Sequence, residues 1–459
     1  MSKTIKLKRG LDIPMEGSAA REIGSITRPA VFRIVPDHYA GVTPKLMVRE
    51  GDRVKAGQPL FHHKQFADML FSSPVSGKVC AIVRGDRRKV MSIDIEADAV
   101  IEYERFDADL TKMSGEQIKA LILEAGIWSY IKQRPYDCIA NPELQPKGVF
   151  VSSFDSAPLA PDYEFVLKGH GTELQAGITA LAKMAGVPVN VGIRHGAAAT
   201  EVRSLKDAVL TEFAGPHPAG NVGVQINHLN PVNKGEVVWT VNVQDVLILG
   251  RLFTKGIVDM QKLVALTGPL AVEPKYYRVL PGMPVSAVFH CNTVKGVPVR
   301  YVAGNPLSGH QVGLDEAISA YDNQFTVLDE GTETHELMGW MMPRLSKFSA
   351  GRMFFSGYFT SSFRRFFFGK KEFDWDARLL GGRRAIIVSG EYDKVFPMDI
   401  YPEYLIKAMI AQNLDKMEQL GAYEVAPEDF ALCEFVCTSK MPLQAIVRKA
   451  LDNMKSELE

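Results

Sequence analysis

Cys433 and Cys437 stand four residues apart, a spacing that sets two thiols on one helix face and is compatible with metal ligation. A four-iron cluster needs about four thiolates, and a structural zinc about four ligands. The chain holds five cysteines, Cys80, Cys138, Cys291, Cys433 and Cys437, with no Cys-x-x-Cys, and the histidine nearest the pair is His335. Isolated buried thiols are therefore preferred over a metal site.

A dinucleotide site needs Gly-x-Gly-x-x-Gly where a strand turns into a helix, because only glycine lets the backbone approach the pyrophosphate. Gly169-His170-Gly171-Thr172 lacks the third glycine and follows Phe165-Val-Leu-Lys168 rather than a strong strand, so it reads as a loop opening a helix. Gly-x-Ser-x-Gly, His-Glu-x-x-His and Walker sequences are absent. The polar cluster Gly215-Pro-His217-Pro-Ala-Gly220 has turn composition, which makes His217 a loop-orienting hydrogen bonder rather than a general base.

Phe354 to Lys371 packs seven phenylalanines and Tyr358 among Arg352, Arg364, Arg365, Lys370 and Lys371. Some of these rings belong in a core. Phe366, Phe367 and Phe368 cannot all point inward on one element, so part of the stretch meets a partner, with Arg364 and Arg365 at the rim.

The 459 residues exceed what one core organises, and two to four domains are expected. Lys plus Arg and Asp plus Glu both count 53, which disfavours nucleic acid as the main partner. Sparse cysteines in odd number fit reduced thiols and hence the cytoplasm. No window approaches the roughly 18 apolar residues of a spanning helix, and Met1 to Pro14 is a charged, strand-like stretch without a signal-peptide core. Work at a membrane would be by docking.

The elements that must position these residues are of mixed class. From Val42, VTPKLMVREGDRVKAGQPLF, SSPVSGKVCAIVRG and RRKVMSIDIEAD read as short alternating strands between turns. Gly51-Asp52, Val54, Gly57 and Leu60, then Ser73-Pro74, Gly77 and Val79, resemble the biotinyl/lipoyl barrel-sandwich pattern over about residues 40 to 97. Carrier domains hold a modifiable lysine at the hairpin tip; here the tip reads HHKQFADML with Lys64 off place, so an unmodified packing module is expected.

Ser114-Gly-Glu-Gln117 predicts a capping box for a helix ending near Gly126. Residues 148–158, then a helix over Thr172 to Met184, then 187–193 predict a strand–helix–strand unit with a parallel sheet. Short strands return over 257–305, and helices are expected from Pro402 to Met417 and from Leu443 to Leu458. The predicted fold is a multidomain α/β chain: a barrel-sandwich (lipoyl-like) module at 1–102, a Rossmann-like α/β layer at 103–256, a β-grasp-like module at 257–334 and a helical tail domain at 335–459.

Four blocks point to one family: Lys8-Arg9-Gly-Leu-Asp-Ile-Pro14; Gly215-Pro-His-Pro-Ala-Gly220 with Asn230-Pro-Val-Asn233; Trp239-Thr-Val-Asn-Val-Gln-Asp245; and Ala431-Leu-Cys-Glu-Phe-Val-Cys437. In order and spacing they resemble the NqrA family, the A subunits of the sodium-translocating NADH:quinone reductase, along nearly the whole chain. The resemblance implies a peripheral subunit on the cytoplasmic face of the bacterial inner membrane. It further implies a complex with five partners, chiefly a membrane-embedded one, in which flavins, iron–sulfur centres and the NADH site lie in other subunits while electrons end on ubiquinone and sodium is exported.

The family is also similar in layout to the C subunit of the Rnf complex and to the flavin-bearing NADH subunit of complex I, where Gly-Gly-Ala-Gly-Phe-Pro cradles flavin phosphate. The corresponding text here is Ala125-Gly126-Ile-Trp128-Ser-Tyr130-Ile-Lys132-Gln-Arg-Pro135, and Ile127, Trp128 and Tyr130 put side chains where backbone must touch phosphate. Flavin binding is expected to be lost. Two readings stay open for Trp128, Tyr130, Arg134 and Tyr136: contacts to a flat quinone ring, with Arg134 or a tyrosine donating to a carbonyl, or rings filling the vacated space, which is preferred. The competing functions are a stand-alone flavin- or NAD-dependent oxidoreductase and a lipoyl-like carrier or scaffold.

Overall fold

The computed structural model describes residues 3–289, 292–332, 348 and 372–458. Between Val31 and Ala97 the alternating text folds into two facing antiparallel sheets, one of four strands and one of three. Phe32, Ile34, Leu60, Phe61, Phe71, Val79, Ile93 and Ile95 point inward and are buried, and Phe61 stacks on Phe71 at 4.6 Å. Lys64 lies exposed beyond the strand Pro59–His63. The preceding His63 turns its Nδ1 back to accept from the Gln65 amide at 3.0 Å, closing the tip.

The middle of the chain builds a seven-stranded sheet. Its order is Lys3–Lys6, Ala208–Ala214, Val189–Arg194, Val149–Ser152, Val238–Thr240, Lys132–Arg134, Cys138–Ile139. The first five strands are mutually parallel, and Lys132–Arg134 pairs antiparallel with both its neighbours. Alternation along each strand sends side chains to two separate cores. Val149 and Val151 join the barrel and residues of the 257–334 region in one, while Phe150 between them joins the C-terminal helices in the other.

Helices cover the first face because their sequences let them come close. Gly115–Glu124 starts at the predicted capping box, with Ser114 accepting from the Gln117 amide and the Gln117 side chain returning to Ser114. Gly171–Ala185 and Val243–Lys255 cross where Gly250 meets the Glu173 carbonyl, and a methyl group on Gly250 would lie 1.7 Å from that oxygen.

A fourth, six-stranded sheet takes Lys262–Thr267, Lys275–Val279, Val299–Ala303, His310–Gln311 and Gln324–Asp329 from the 257–334 region. Its remaining strand, Ala20–Gly24, comes from the N-terminal segment and pairs parallel with Lys275–Val279. The tail forms helices at Tyr392–Val395, Pro402–Ile410, Leu414–Gln419, Ala431–Val436 and Leu443–Leu458. The single helix expected from Pro402 to Met417 is thus two. Gln412 takes φ +52°, and the Asn413 side chain caps the second helix by accepting from the Lys416 amide.

A candidate ligand cleft at the carboxyl ends of the sheet

The strand Val149–Ser152 runs through the helix Gly171–Ala185 to a neighbour on one side, whereas Val238–Thr240 lies on its other side. The strand order reverses there, and in open α/β sheets ligands bind outside the carboxyl ends at such a switch point. A cleft of about 660 Å³ opens at that place. Ser152, Phe154 and Asp155 line it from the end of one strand, Thr240 and Asn242 from the end of the other, and Tyr130, Lys132, Arg134 and Asp137 from the returning segment.

Tyr130 is 2 % exposed and its Oη has no hydrogen-bond partner among the described residues. Burial holds its phenol well above the usual range, so the hydroxyl keeps its proton to donate. Lys262 Nζ sits 5.4 Å over the Tyr130 ring. It is paired with Asp245 Oδ1 at 2.5 Å and donates to the Ala320 carbonyl at 2.6 Å. Burial raises the Asp245 carboxyl against the pull of Lys262. Across the cleft, Lys132 Nζ lies 4.5 Å over the Tyr321 ring, and Tyr321 donates to the Ser129 carbonyl.

Arg134 is 1 % exposed, and its Nη2 donates to Glu428 Oε1 at 3.2 Å. Burial opposes its charge, but Asp137, Asp429 and Glu428 outweigh that and hold the guanidinium firmly ionised. Burial, then the neighbouring Asp429, pushes Glu428 up to about 7 despite Arg134. His217 also lines the cleft. Its Nδ1 lies 3.0 Å from Ser156 Oγ, which in turn accepts from the Gly220 amide. Burial lowers the imidazole to about 4, so His217 is neutral near pH 7 and orients its loop.

The sequence-predicted residues divide. Tyr130 and Arg134 line the cleft, whereas Trp128 and Tyr136, 0 % and 3 % exposed, are not among its lining residues. Trp128 donates from Nε1 to the Ala140 carbonyl at 2.7 Å. Tyr136 packs edge-on against Tyr423, and its backbone carbonyl accepts from Arg448. Tyr163, Tyr321, Lys262 and Glu428 went unnoticed in the sequence. A partial signal was present, since the block 239–245 supplies Thr240, Asn242 and Asp245 together. Arg364, Arg365, Phe366, Phe367 and Phe368 lie outside the described residues.

A flavin phosphate does not fit the segment 125–135. Ile127, Trp128 and Tyr130 are buried against the core, and six carboxylates, Asp37, Asp137, Asp155, Asp245, Asp322 and Glu428, line the cleft against the cations Lys132 and Arg134. The other glycine pair is closed as well, because Glu201 Oε1 accepts from the Gly169 amide at 3.0 Å and its other oxygen crowds Gly171. A protein carboxylate thus takes the anion position at the mouth of that helix. Cys433 and Cys437 are both buried, and the Tyr392 hydroxyl donates to Cys437 Sγ at 2.9 Å. Among the described residues no group of three or more His, Cys, Asp or Glu is placed to hold a metal ion.

The fold is that of a multidomain α/β protein: a barrel-sandwich, a mainly parallel sheet with a crevice at its switch point, and a helical cap. Family profiles described as the NqrA N-terminal barrel-sandwich hybrid domain, the NqrA second alpha/beta domain and the NQRA C-terminal domain match residues 5–98, 113–258 and 263–313. Two Na(+)-translocating NADH-quinone reductase A subunits, from Yersinia pestis bv. Antiqua (strain Angola) and Haemophilus influenzae (strain PittEE), are each 34 % identical over 459 residues, 99 % of this chain and 100 % of theirs. The chain belongs to the NqrA family, the A subunits of the Na(+)-translocating NADH-quinone reductase. Two solved NAD+-reducing [NiFe]-hydrogenase chains align with TM-scores of 0.31 and 0.33 at 15 % and 12 % identity, covering 40 % and 67 % of this chain and 41 % and 55 % of theirs. A likeness that slight has no bearing on function.

Proposed function

We propose that this chain works as the peripheral NqrA component of a sodium-pumping NADH:ubiquinone reductase on the cytoplasmic face of the inner membrane, and that its cleft holds the head ring of ubiquinone. Membership of the family supports the first part. No helix among the described residues is long and apolar enough to cross a membrane, so attachment falls to a docking surface; the run Arg364 to Phe368 is offered for it on sequence alone, with a membrane-embedded member of the five other subunits as its partner. Hydride chemistry, flavins and iron–sulfur centres are assigned to those partners. The layout shared with the Rnf C subunit is part of the same reading.

The observation that supports the ring is that two residues lining the cleft carry buried donors without hydrogen-bond acceptors among the described residues, the Tyr130 hydroxyl and the Arg134 guanidinium edge. Quinone carbonyls are acceptors, and the Tyr130, Tyr163 and Tyr321 rings supply flat apolar walls. The test is titration of the purified chain with a short-chain ubiquinone. Saturable binding that weakens more than about tenfold in Tyr130→Phe with Arg134→Leu is expected; unchanged binding in that double variant would place the ring elsewhere. A stand-alone oxidoreductase would instead oxidise NADH unaided, and a carrier would show an added mass at Lys64.

A further inference from the structure

Six large apolar side chains, Leu379, Leu380, Ile387, Val388, Tyr401 and Tyr404, are each more than half exposed, and all fall between residues 379 and 404. One buried carboxylate ties their two stretches together. Glu403 Oε1 accepts from the Ser389 amide at 2.9 Å, the Ser389 hydroxyl at 3.0 Å and the Gly390 amide at 3.1 Å. The end of the segment 379–390 is thereby fixed at the first turn of the helix Pro402–Ile410. Tyr401 and Tyr404, on either side of Glu403, meet edge to face with ring centroids 6.2 Å apart. Single exposed apolar residues are ordinary, but a cluster of them marks a surface that another molecule covers.

The main chain says what kind of molecule. Residues 382–389 run without helix, turn or bend and carry the β-branched triplet Ile386-Ile387-Val388. Their anchorage is slight. The Arg384 amide donates to the Ser439 carbonyl at 2.8 Å, the Ser439 hydroxyl donates to the Ala385 carbonyl at 2.9 Å, and Ile386 packs against the tail core. The amides of Ala385, Ile386, Ile387 and Val388, and the carbonyls of the last three, have no hydrogen-bond partner among the described residues. Bare N–H and C=O groups beside exposed apolar side chains suit an extended chain that adds as a strand. A lipid brings no backbone to pair with them, and the backbone of a helix is already satisfied.

Charge narrows the partner further. Arg383 and Arg384 are exposed and have no ion-pair partner among the described residues, and the Lys440 side chain lies beside Gly381 at the same end. Residues 379–390 contain no Asp or Glu. A second copy laid along this segment would therefore bring two more arginines and no carboxylate to meet them.

We propose that the segment from Arg383 to Val388 receives an extended segment of another polypeptide of the complex as an added strand. That strand packs apolar side chains on Ile387, Val388 and the tyrosine pair, and sets carboxylates against Arg383 and Arg384. The surface is separate from the run Arg364 to Phe368. The proposal takes from the reading above only that the chain works within a complex.

The test compares the full chain alone with the detergent-solubilised complex purified from membranes, by hydrogen exchange read in a mass spectrometer. The amides of Ala385 to Val388 should exchange freely in the isolated chain and about a hundredfold more slowly in the complex. Ile387→p-benzoylphenylalanine, illuminated in membranes, should link to one segment of another polypeptide that contains Asp or Glu. Arg383→Glu with Arg384→Glu in that background should cut the link by about tenfold while the melting temperature holds. Equal exchange in the two samples, a link to lipid or to a second copy, or a link indifferent to charge reversal overturns the strand addition and leaves the complex standing. Purification without any companion polypeptide removes the complex reading, and this inference with it.

Discussion

Trp128 and Trp239 meet edge to face, with ring centroids 5.5 Å apart and planes at 87°. The first comes from the turn Trp128–Tyr130, the second from the strand Val238–Thr240, whose end forms one lip of the cleft. Both belong to the buried core that the sheet shares with the barrel, and neither lines the crevice.

Their role as core rather than ligand contact is measurable. Trp128→Ala should lower the unfolding free energy by about 3–5 kcal/mol in urea titration, as for other buried tryptophans. Trp128→Phe keeps a ring but loses the bond to the Ala140 carbonyl, and should cost markedly less. Unchanged stability with weakened ubiquinone binding would instead make Trp128 a ligand contact.

Lys262 and Asp245, 2 % and 4 % exposed at their side chains, form a buried ion pair under Tyr130. Removing one partner leaves the other charge unpaired, so Lys262→Met or Asp245→Leu alone should each cost about 3–5 kcal/mol. The double variant should recover most of that loss. Additive losses in a double-mutant cycle would show that the pair is not coupled.

His217 predicts a pH effect with a definite sign. Burial depresses its imidazole from 6.5 to about 4, so the unfolded chain binds the proton more readily. Its contribution to stability is complete above about pH 6.5 and is lost as pH falls toward 4. Compared with the parent, His217→Gln should lose less stability on acidification through that window, as read from thermal melts. Parallel pH curves for the two proteins would show that the ring is accessible to solvent protons.

Gly126 holds φ +69°, and a methyl group there would come within 2.0 Å of Ser72 Oγ, the atom that ties the barrel to the Ala125 carbonyl. Gly186 shares nearly the same backbone angle, φ +68°, with nothing within 4 Å. Gly186→Ala should therefore cost only the strain of a left-handed residue, about 1 kcal/mol, whereas Gly126→Ala should cost clearly more and loosen the barrel. Equal melting temperatures for the two variants would refute the contact.

Local signals carried much of this architecture. The Ser114 capping box, the strand–helix–strand unit from Val149 to Arg194 and the terminal helix Leu443–Leu458 rest on short-range hydrogen bonds and hydrophobic periodicity, and all three are present. The break at Gln412 was not legible, because apolar spacing continues through it and only the Asn413 cap marks the restart. The cleft was half legible: Tyr130 and Arg134 belong to one segment that family layout singles out. Glu428 reaches the cleft, and Lys262 the ring of Tyr130 that lines it, only through the tertiary fold, and nothing local distinguishes them from surface charges.

Strand order has a consequence for synthesis. Lys3–Lys6 pairs with Thr211–Ala214, which leave the ribosome more than two hundred residues later, and Ala20–Gly24 waits longer still for Lys275–Tyr277. The barrel lies between those two early strands and later text, and its own strand pairings all close within residues 31–97. It is therefore expected to fold first, as an island on a tether, while an unpaired strand upstream remains open to chaperones or to mispairing until the α/β sheet emerges to receive it.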